Sequence, residues 1–153
     1  METKKVWFVT GASKGLGKTL VIELLKQGYN VVGTSRSNSS LTDAIGEHEN
    51  FLPLELDIVH DGEVKEAVQK SVDRFGRIDV VVNNAGYSQI GALEELSDEE
   101  ARTNFEVNVS GSLYAIRHTA PQLRPQKSVH DLTIASIGGF AGNLPAFSTP
   151  CRT

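Results

Sequence analysis

A glycine-rich segment near the N-terminus is the first place where residue types and spacing predict chemistry. It runs from Thr10 to Gly17, reads TGASKGLG, and lies between a short apolar run and an amphipathic stretch. Glycines permit a tight turn and close backbone approach to a phosphate, and a helix N-terminus offers free N–H groups and partial positive charge. Between a strand and a helix, this pattern predicts dinucleotide binding; without that context, it would indicate only a turn. The residues expected to bind the dinucleotide are Gly11, Ser13, Lys14, Gly15, Leu16 and Gly17.

Further polar residues follow the later predicted strands or interrupt a helix. Asn83-Asn84-Ala85-Gly86 follows an apolar strand, Asp57 follows another, Asn108 lies inside a long predicted helix, and Ser136 ends the last strand. Each has a plainer explanation: a turn, a helix-capping acid, a surface amide or an isolated serine. Their order, together with the T-G-x-x-x-G-x-G spacing, resembles the short-chain dehydrogenase/reductase family over almost the whole chain.

This resemblance implies a Rossmann-type fold and hydride transfer between a nicotinamide and a small carbonyl or alcohol substrate. In the family, the Ser orients the substrate oxygen and the Asn holds a water that relays a proton, so Asn108 and Ser136 are the expected catalytic residues. An Asp after the third strand lies near the adenine ring in family members. The remaining residues that the resemblance assigns to the cofactor are Asp57, Ile58, Asn84, Ala85 and Gly86.

The end of the second strand discriminates between the two nicotinamide cofactors. An acidic residue there binds the ribose 2′-hydroxyl of NAD, whereas an Arg accommodates the 2′-phosphate of NADP. This chain has Thr34-Ser35-Arg36, and its next carboxylate is Asp43; Lys14 supplies a second cation nearby. We therefore expect NADP rather than NAD, the alternative being that both cations are ordinary surface residues.

The general acid/base of the family is missing from these 153 residues. Family members carry Y-x-x-x-K about a dozen residues after the Ser, where this chain has Pro150, which has no ionisable group. A neighbouring Cys151 has no placed base, so we expect it to be inert. Four histidines lack metal-ligand spacing, which predicts no metal site.

Two classes of function remain open for such a chain. It is expected to be an NADP-dependent oxidoreductase by descent, C-terminally truncated and catalytically inactive alone, without the last strands and most of the family's oligomer interface. The alternatives are a non-catalytic NADP-binding module or a non-functional gene fragment.

Apolar periodicity predicts alternating strands and helices, and hence a doubly wound, three-layer α/β/α sheet that is incomplete at its C-terminal end. A loop is expected over Thr34 to Ser40, and Pro53 indicates an edge strand. Ser97 and Glu100 form a capping box, and the helix that follows is expected to stop near Pro121. The predicted strands are Val6 to Val9, Val31-Val32, Phe51 to Leu56, Ile78 to Val82 and Leu132 to Ala135. The predicted helices run from Gly15 to Gln27, from Asp61 to Phe75 and from Ser97 to about Thr119.

Length and charge fit one domain over residues 1–153 and exclude several kinds of partner. The formal net charge is −4, so there is no overall basic footprint for nucleic acid. The apolar run from Val6 to Val9 is too short for a signal peptide or a membrane span, which needs ~20 residues. A single cysteine permits no internal disulfide, and a cytoplasmic location is expected.

Overall fold

The computed structural model describes residues 4–89, 92–126 and 130–136. These residues form a five-stranded parallel sheet in the order β3-β2-β1-β4-β5. The strands are β1 (Val6–Val9), β2 (Asn30–Ser35), β3 (Phe51–Glu55), β4 (Val80–Asn83) and β5 (His130–Thr133). The helices are α1 (Gly15–Lys26), α2 (Asn38–Ile45), α3 (Asp61–Phe75), α4 (Asp98–Phe105) and α5 (Gly111–Leu123).

Helices cover both faces of the sheet, so the predicted doubly wound, three-layer architecture is confirmed. On one face of the sheet, α1 and α2 pack Val21, Leu24 and Leu41 against β1, β2 and β4. On the other face, α3 and α5 bury Val64 and Ala115 against the same central strands. The central strands are apolar on both sides because both of their faces lie in the core.

Several predicted boundaries are confirmed. β1 and α3 have the predicted limits, and Gly76 ends α3 with a φ of 78°. Ser97 and Glu100 form the predicted capping box at the start of α4. β3, which contains Pro53, lies at the edge of the sheet, as its proline indicates.

Four predictions about the elements are wrong. Thr34 to Ser40 is not a loop: β2 continues to Ser35, and α2 begins at Asn38 behind the N-cap Ser37. The fourth strand begins at Val80 rather than Ile78. β5 begins at His130 rather than Leu132.

The fourth error concerns the helix end predicted at about Thr119, because α5 continues through Pro121 to Leu123. Leu123 and Thr119 are buried, so packing against the sheet offsets the hydrogen bond that the proline removes. Between α4 and α5 lies a π-helical stretch, Glu106–Ser110, with Asn108 at its centre. Such single π turns occur frequently at functional sites.

Candidate functional site

The glycine-rich turn lies where the strand order reverses in this part of the sheet. β1 pairs with β2 on one side and with β4 on the other, and the turn follows its carboxyl end. In open α/β sheets, ligands bind outside the carboxyl ends of the strands at such a switch point. The topology therefore places the predicted dinucleotide site at the usual position for this class of fold.

Two glycines are required by the geometry of this turn. Gly11 has a φ of 67°, and a Cβ there would lie 2.8 Å from the Cα of Ala85. A Cβ at Gly17 would lie 2.4 Å from the carbonyl oxygen of Gly11 and 2.5 Å from Nδ2 of Asn84. Real Cβ atoms do not come this close to other atoms, so the backbones of β1, α1 and the segment after β4 meet only because both side chains are absent.

Hydrogen bonds from the segment after β4 hold the turn. Nδ2 of Asn84 donates to the carbonyl oxygens of Thr10 and Gly11, both at 3.0 Å. The hydroxyl oxygen of the buried Thr10 accepts from the backbone N–H groups of Asn84 and Ala85, both at 3.0 Å. The side chain of Asn84, expected to contact the cofactor, therefore supports the turn, whereas the neighbouring Gly86 is exposed.

The N-terminus of α1 faces solvent with its backbone donors free of side-chain caps. Lys14 is the N-cap residue and its side chain makes no capping hydrogen bond, and the first turn contains no acidic residue. Lys14, Gly15 and Leu16 are exposed, and Ser13 is half-buried. The first N–H groups of a helix have no partner within the helix, so this end can accept an anionic group.

Arg36 follows β2 directly and is exposed. Within residues 4–89, 92–126 and 130–136, no carboxylate forms an ion pair with Arg36 or Lys14. A carboxylate that the sequence reading missed does lie in this segment: Oε2 of Glu55 accepts a 3.1 Å hydrogen bond from the backbone N–H of Asn38. Only the β2–β3 register (Ser35 opposite Glu55) reveals it, because the two residues are far apart in the chain.

Asp57 and Ile58, after β3, have different environments. Oδ1 of Asp57 accepts from the backbone N–H of Val59 at 3.3 Å, a local turn, and the N-cap of α3 is His60. Asp57 thus does not cap α3, which was the plainer explanation for it. Ile58 is buried in the core beneath Gly111, where a Cβ would lie 2.9 Å from its side chain. Any contact between Ile58 and a cofactor would therefore use its backbone.

Asn108, the first predicted catalytic residue, is buried and holds the segment after β4. Its Oδ1 accepts from the backbone N–H of Tyr87 at 3.0 Å, and its Nδ2 donates to the carbonyl oxygen of Tyr87 at 2.9 Å. Asn104, one turn earlier, donates to the same carbonyl at 3.2 Å. Asn104 was missed by the sequence reading, although its i, i+4 spacing from Asn108 was the available signal.

Ser136, the second predicted catalytic residue, is exposed just beyond β5. β5 pairs in parallel with β4, and the N–H of Ile134 donates to the carbonyl oxygen of Asn83 at 3.0 Å. Ser136 therefore lies at the same carboxyl edge as the segment after β4. Pro150 and Cys151, considered above for the acid/base and nucleophile positions, lie outside the described residues.

Next to this edge, Asn83 on β4 is hydrogen-bonded to Asp131 on β5. Nδ2 of the buried Asn83 donates to Oδ1 of Asp131 at 2.9 Å, and Oδ1 of Asn83 has no hydrogen-bond partner among the residues described. Desolvation raises the pKa of Asp131, and the hydrogen bond from Asn83 opposes that rise. A protonated Asp131 could donate to the unpartnered oxygen of Asn83.

Over the described ranges, no three His, Cys, Asp or Glu side chains cluster closely enough to hold a metal ion. No helix in that part of the chain is both long and apolar enough to cross a bilayer.

Together, the sheet topology and the glycine turn define a nucleotide-binding α/β protein. Residues 5–148 match the family described as short chain dehydrogenase, and the chain belongs to that family. An oxidoreductase, BOA17, from Botryotinia fuckeliana is 37% identical over 140 residues, covering 90% of this chain and 51% of that protein. The chain thus spans about half the length of such relatives.

Solved structures agree with the family. A short-chain dehydrogenase from Streptomyces avermitilis is 34% identical, with a TM-score of 0.92 over 99% of this chain and 56% of that one. A structure of ElxO with NADP bound is 30% identical, with a TM-score of 0.84 over 92% of this chain and 58% of that one.

Proposed function

We propose that this chain binds NADP(H) at the carboxyl edge of its sheet, as part of an oxidoreductase acting on a small carbonyl or alcohol. The observation that carries the proposal is the cradle at the switch point, where the absence of a Cβ at Gly11 and Gly17 lets the turn pack closely against the segment after β4. The uncapped N-terminus of α1 lies beside this cradle and favours a negatively charged group. A dinucleotide pyrophosphate has the charge and shape for such a site.

Charge favours NADP over NAD in this proposal. Arg36 and Lys14 are exposed cations beside the predicted ribose and phosphate positions, and no described carboxylate pairs with either. An Arg at the end of β2 suits a 2′-phosphate, which it can bind through two hydrogen bonds. NADP is bound to ElxO, a structural relative at 30% identity.

Each remaining residue is assigned a role that its position permits. Asn84 and Ala85 hold the turn through their hydrogen bonds with Thr10 and Gly11, and Gly86 and Asp57 are proposed to contact the adenosine half. When bound, the nicotinamide supplies or accepts the hydride. Ser136 is proposed to orient the substrate oxygen, and Asn108 to fix the segment after β4 through the backbone of Tyr87.

A general acid/base is the part of the reaction that residues 1–153 do not supply. They contain no Y-x-x-x-K, and none of the three tyrosines has a lysine four positions later. We therefore propose cofactor binding without turnover for these residues by themselves.

Cofactor titration tests the binding proposal. The full gene product containing residues 1–153 is titrated with NADPH and with NADH by calorimetry, and we expect tighter binding of NADPH. Gly17→Ala would place a Cβ 2.4 Å from the carbonyl oxygen of Gly11, which displaces the turn and is expected to abolish binding, while Gly62→Ala, at an open position near the start of α3, is expected to retain it. Circular dichroism establishes that each variant is folded. A folded wild-type protein that binds neither cofactor would refute the proposal.

A further inference from the structure

Glu55 brings a negative charge to the segment that carries Arg36. Glu55 is the last residue of β3 and lies opposite Ser35, the last residue of β2. The N–H of Leu56 donates to the carbonyl oxygen of Ser35 at 2.8 Å, so the two strands remain paired up to this point. Arg36 is the next residue after Ser35, which places the two charges at the ends of adjacent strands.

The carboxylate of Glu55 is fixed on this segment by a hydrogen bond. Its Oε2 accepts from the backbone N–H of Asn38, the first residue of α2, at 3.1 Å. Glu55 is exposed, and no Lys, Arg or His of the described ranges forms an ion pair with it. Its charge is therefore not neutralised by a partner and acts on whatever binds beside residues 35–38.

We propose that Glu55 is a specificity-determining residue that weakens the binding of NADPH relative to NADH. This inference rests on the proposed function, in which Arg36 receives the 2′-phosphate. A phosphate monoester carries about −1.5 to −2 charges at pH 7, so a fixed carboxylate beside it is repulsive. The 2′-hydroxyl of NADH is neutral and does not experience this repulsion. Arg36 thus favours the binding of NADPH, whereas Glu55 weakens it relative to the binding of NADH.

Glu55→Gln separates the charge of this residue from its support of α2. The glutamine side chain keeps an oxygen that can accept from the N–H of Asn38, but it carries no charge. A residue that only held α2 in place would affect both cofactors equally. A residue that acts through its charge affects NADPH alone, and its effect decreases as salt screens the repulsion.

The experiment measures affinities of the full gene product for NADPH and NADH at low and high ionic strength. For Glu55→Gln we expect NADPH to bind about fivefold more tightly at low salt, the size of a charge repulsion across water over a few ångströms. NADH affinity is expected to stay within about twofold of wild type. Glu55→Thr, which also suits a strand end, is a second variant with the same expected direction. Glu49 precedes the first residue of β3, at the opposite end of the strand from Glu55. Glu49→Gln is therefore the matched control and is expected to change neither affinity.

The outcomes distinguish this inference from the proposed function. Wild-type protein that binds neither cofactor refutes the proposed function itself. Wild-type binding of NADPH with no gain in Glu55→Gln overturns only the inference. Equal weakening of both cofactors also overturns it, because Glu55 would then only support α2. Selective weakening of NADH would overturn it too, because Glu55 would then bind the ribose hydroxyl.

Discussion

Thr10 and Asn84 hydrogen-bond to each other in both directions. The hydroxyl oxygen of Thr10 accepts from the backbone N–H of Asn84 at 3.0 Å, and Nδ2 of Asn84 donates to the carbonyl oxygen of Thr10 at 3.0 Å. Thr10 follows β1 directly, and Asn84 follows β4, so this pair fixes the two strand ends that flank the candidate site. The turn is thereby held in place by the protein itself, which reduces the ordering cost of binding.

Replacing Thr10 tests how much this pair contributes. Thr10→Val keeps the shape but leaves the N–H groups of Asn84 and Ala85 without their acceptor, since both bond the threonine hydroxyl. We expect the free energy of unfolding to fall by about 1–3 kcal/mol, the cost of an unsatisfied donor in a folded protein. Urea denaturation measures this change. Thr10→Ser retains the hydroxyl and is expected to lose less; equal losses for both variants would contradict this account.

The sequence was sufficient to predict the elements around the glycine turn. α1 and α3 have a regular apolar stripe followed by glycine, Gly28 or Gly76, whose positive φ ends the helix. β1 is a continuous apolar run, and helices cover both faces of the sheet where it lies. Such a run is typical of a buried parallel strand. In each of these elements, local periodicity and tertiary burial favour the same structure.

Other features depend on contacts that no local pattern contains. α2 buries only Leu41, so its serine- and asparagine-rich sequence resembles a loop until Ser37 caps it. Glu55 joins the segment after β2 only through the β2–β3 register. The side chain of Asn108 lies on a π-helical stretch and binds the backbone of Tyr87, a contact between distant parts of the chain. All three features therefore depend on tertiary contacts, which the local sequence pattern does not contain.

Asp131→Asn is expected to stabilise the protein at neutral pH. Desolvation raises the pKa of Asp131 above its usual value, so the folded protein binds this proton more readily than the unfolded chain. The ionised carboxylate therefore costs stability at pH values above the raised pKa, and this cost disappears as the pH falls below the usual pKa of Asp, about 4. Asparagine removes the charge and offers a donor to Oδ1 of Asn83.

Urea midpoints at pH 7 and at low pH check this prediction. Asp131→Asn is expected to exceed wild type at pH 7, with the difference shrinking on acidification because a protonated Asp131 can itself donate to Asn83. Asp131→Ala is the control: it removes the carboxylate, but it also removes the acceptor of Nδ2 of Asn83 and supplies no donor, so it is expected to gain less. A constant advantage of Asp131→Asn at every pH would exclude titration of Asp131 as the cause.

Arg36→Asp is expected to reverse the cofactor preference. The substitution replaces a cation with a carboxylate beside Glu55, so a 2′-phosphate meets two negative charges, whereas a ribose hydroxyl gains an acceptor. A charge-assisted bond to phosphate contributes roughly 1.5–3 kcal/mol, so NADPH affinity should fall by about one to two decades. Calorimetry with NADPH and NADH measures this ratio. Lys65→Glu, on the exposed side of α3, is a charge-changing control, and an equal loss there would show that net charge alone is responsible.

The polypeptide of residues 1–153 is expected to bind NADPH without consuming it. Ser136 and Asn108 are present, but no tyrosine of the Y-x-x-x-K pattern is available to donate a proton to the substrate oxygen. A positioned general acid/base contributes typically 10²–10⁴-fold to a rate, and groups that act as a unit are strongly non-additive. Pro150→Tyr alone is therefore expected to restore little activity, because the lysine partner is still absent.

Absorbance of NADPH with a panel of aldehydes and ketones measures this turnover. The comparison uses residues 1–153, the Pro150→Tyr variant, and a chimera in which a short-chain dehydrogenase segment bearing Y-x-x-x-K and the strands after it replaces residues 150–153. Only the chimera is expected to consume NADPH, and Ser136→Ala in that chimera is expected to reduce its rate, since the hydroxyl would orient the substrate oxygen. Turnover by purified residues 1–153 would mean that another group in this chain is the proton donor.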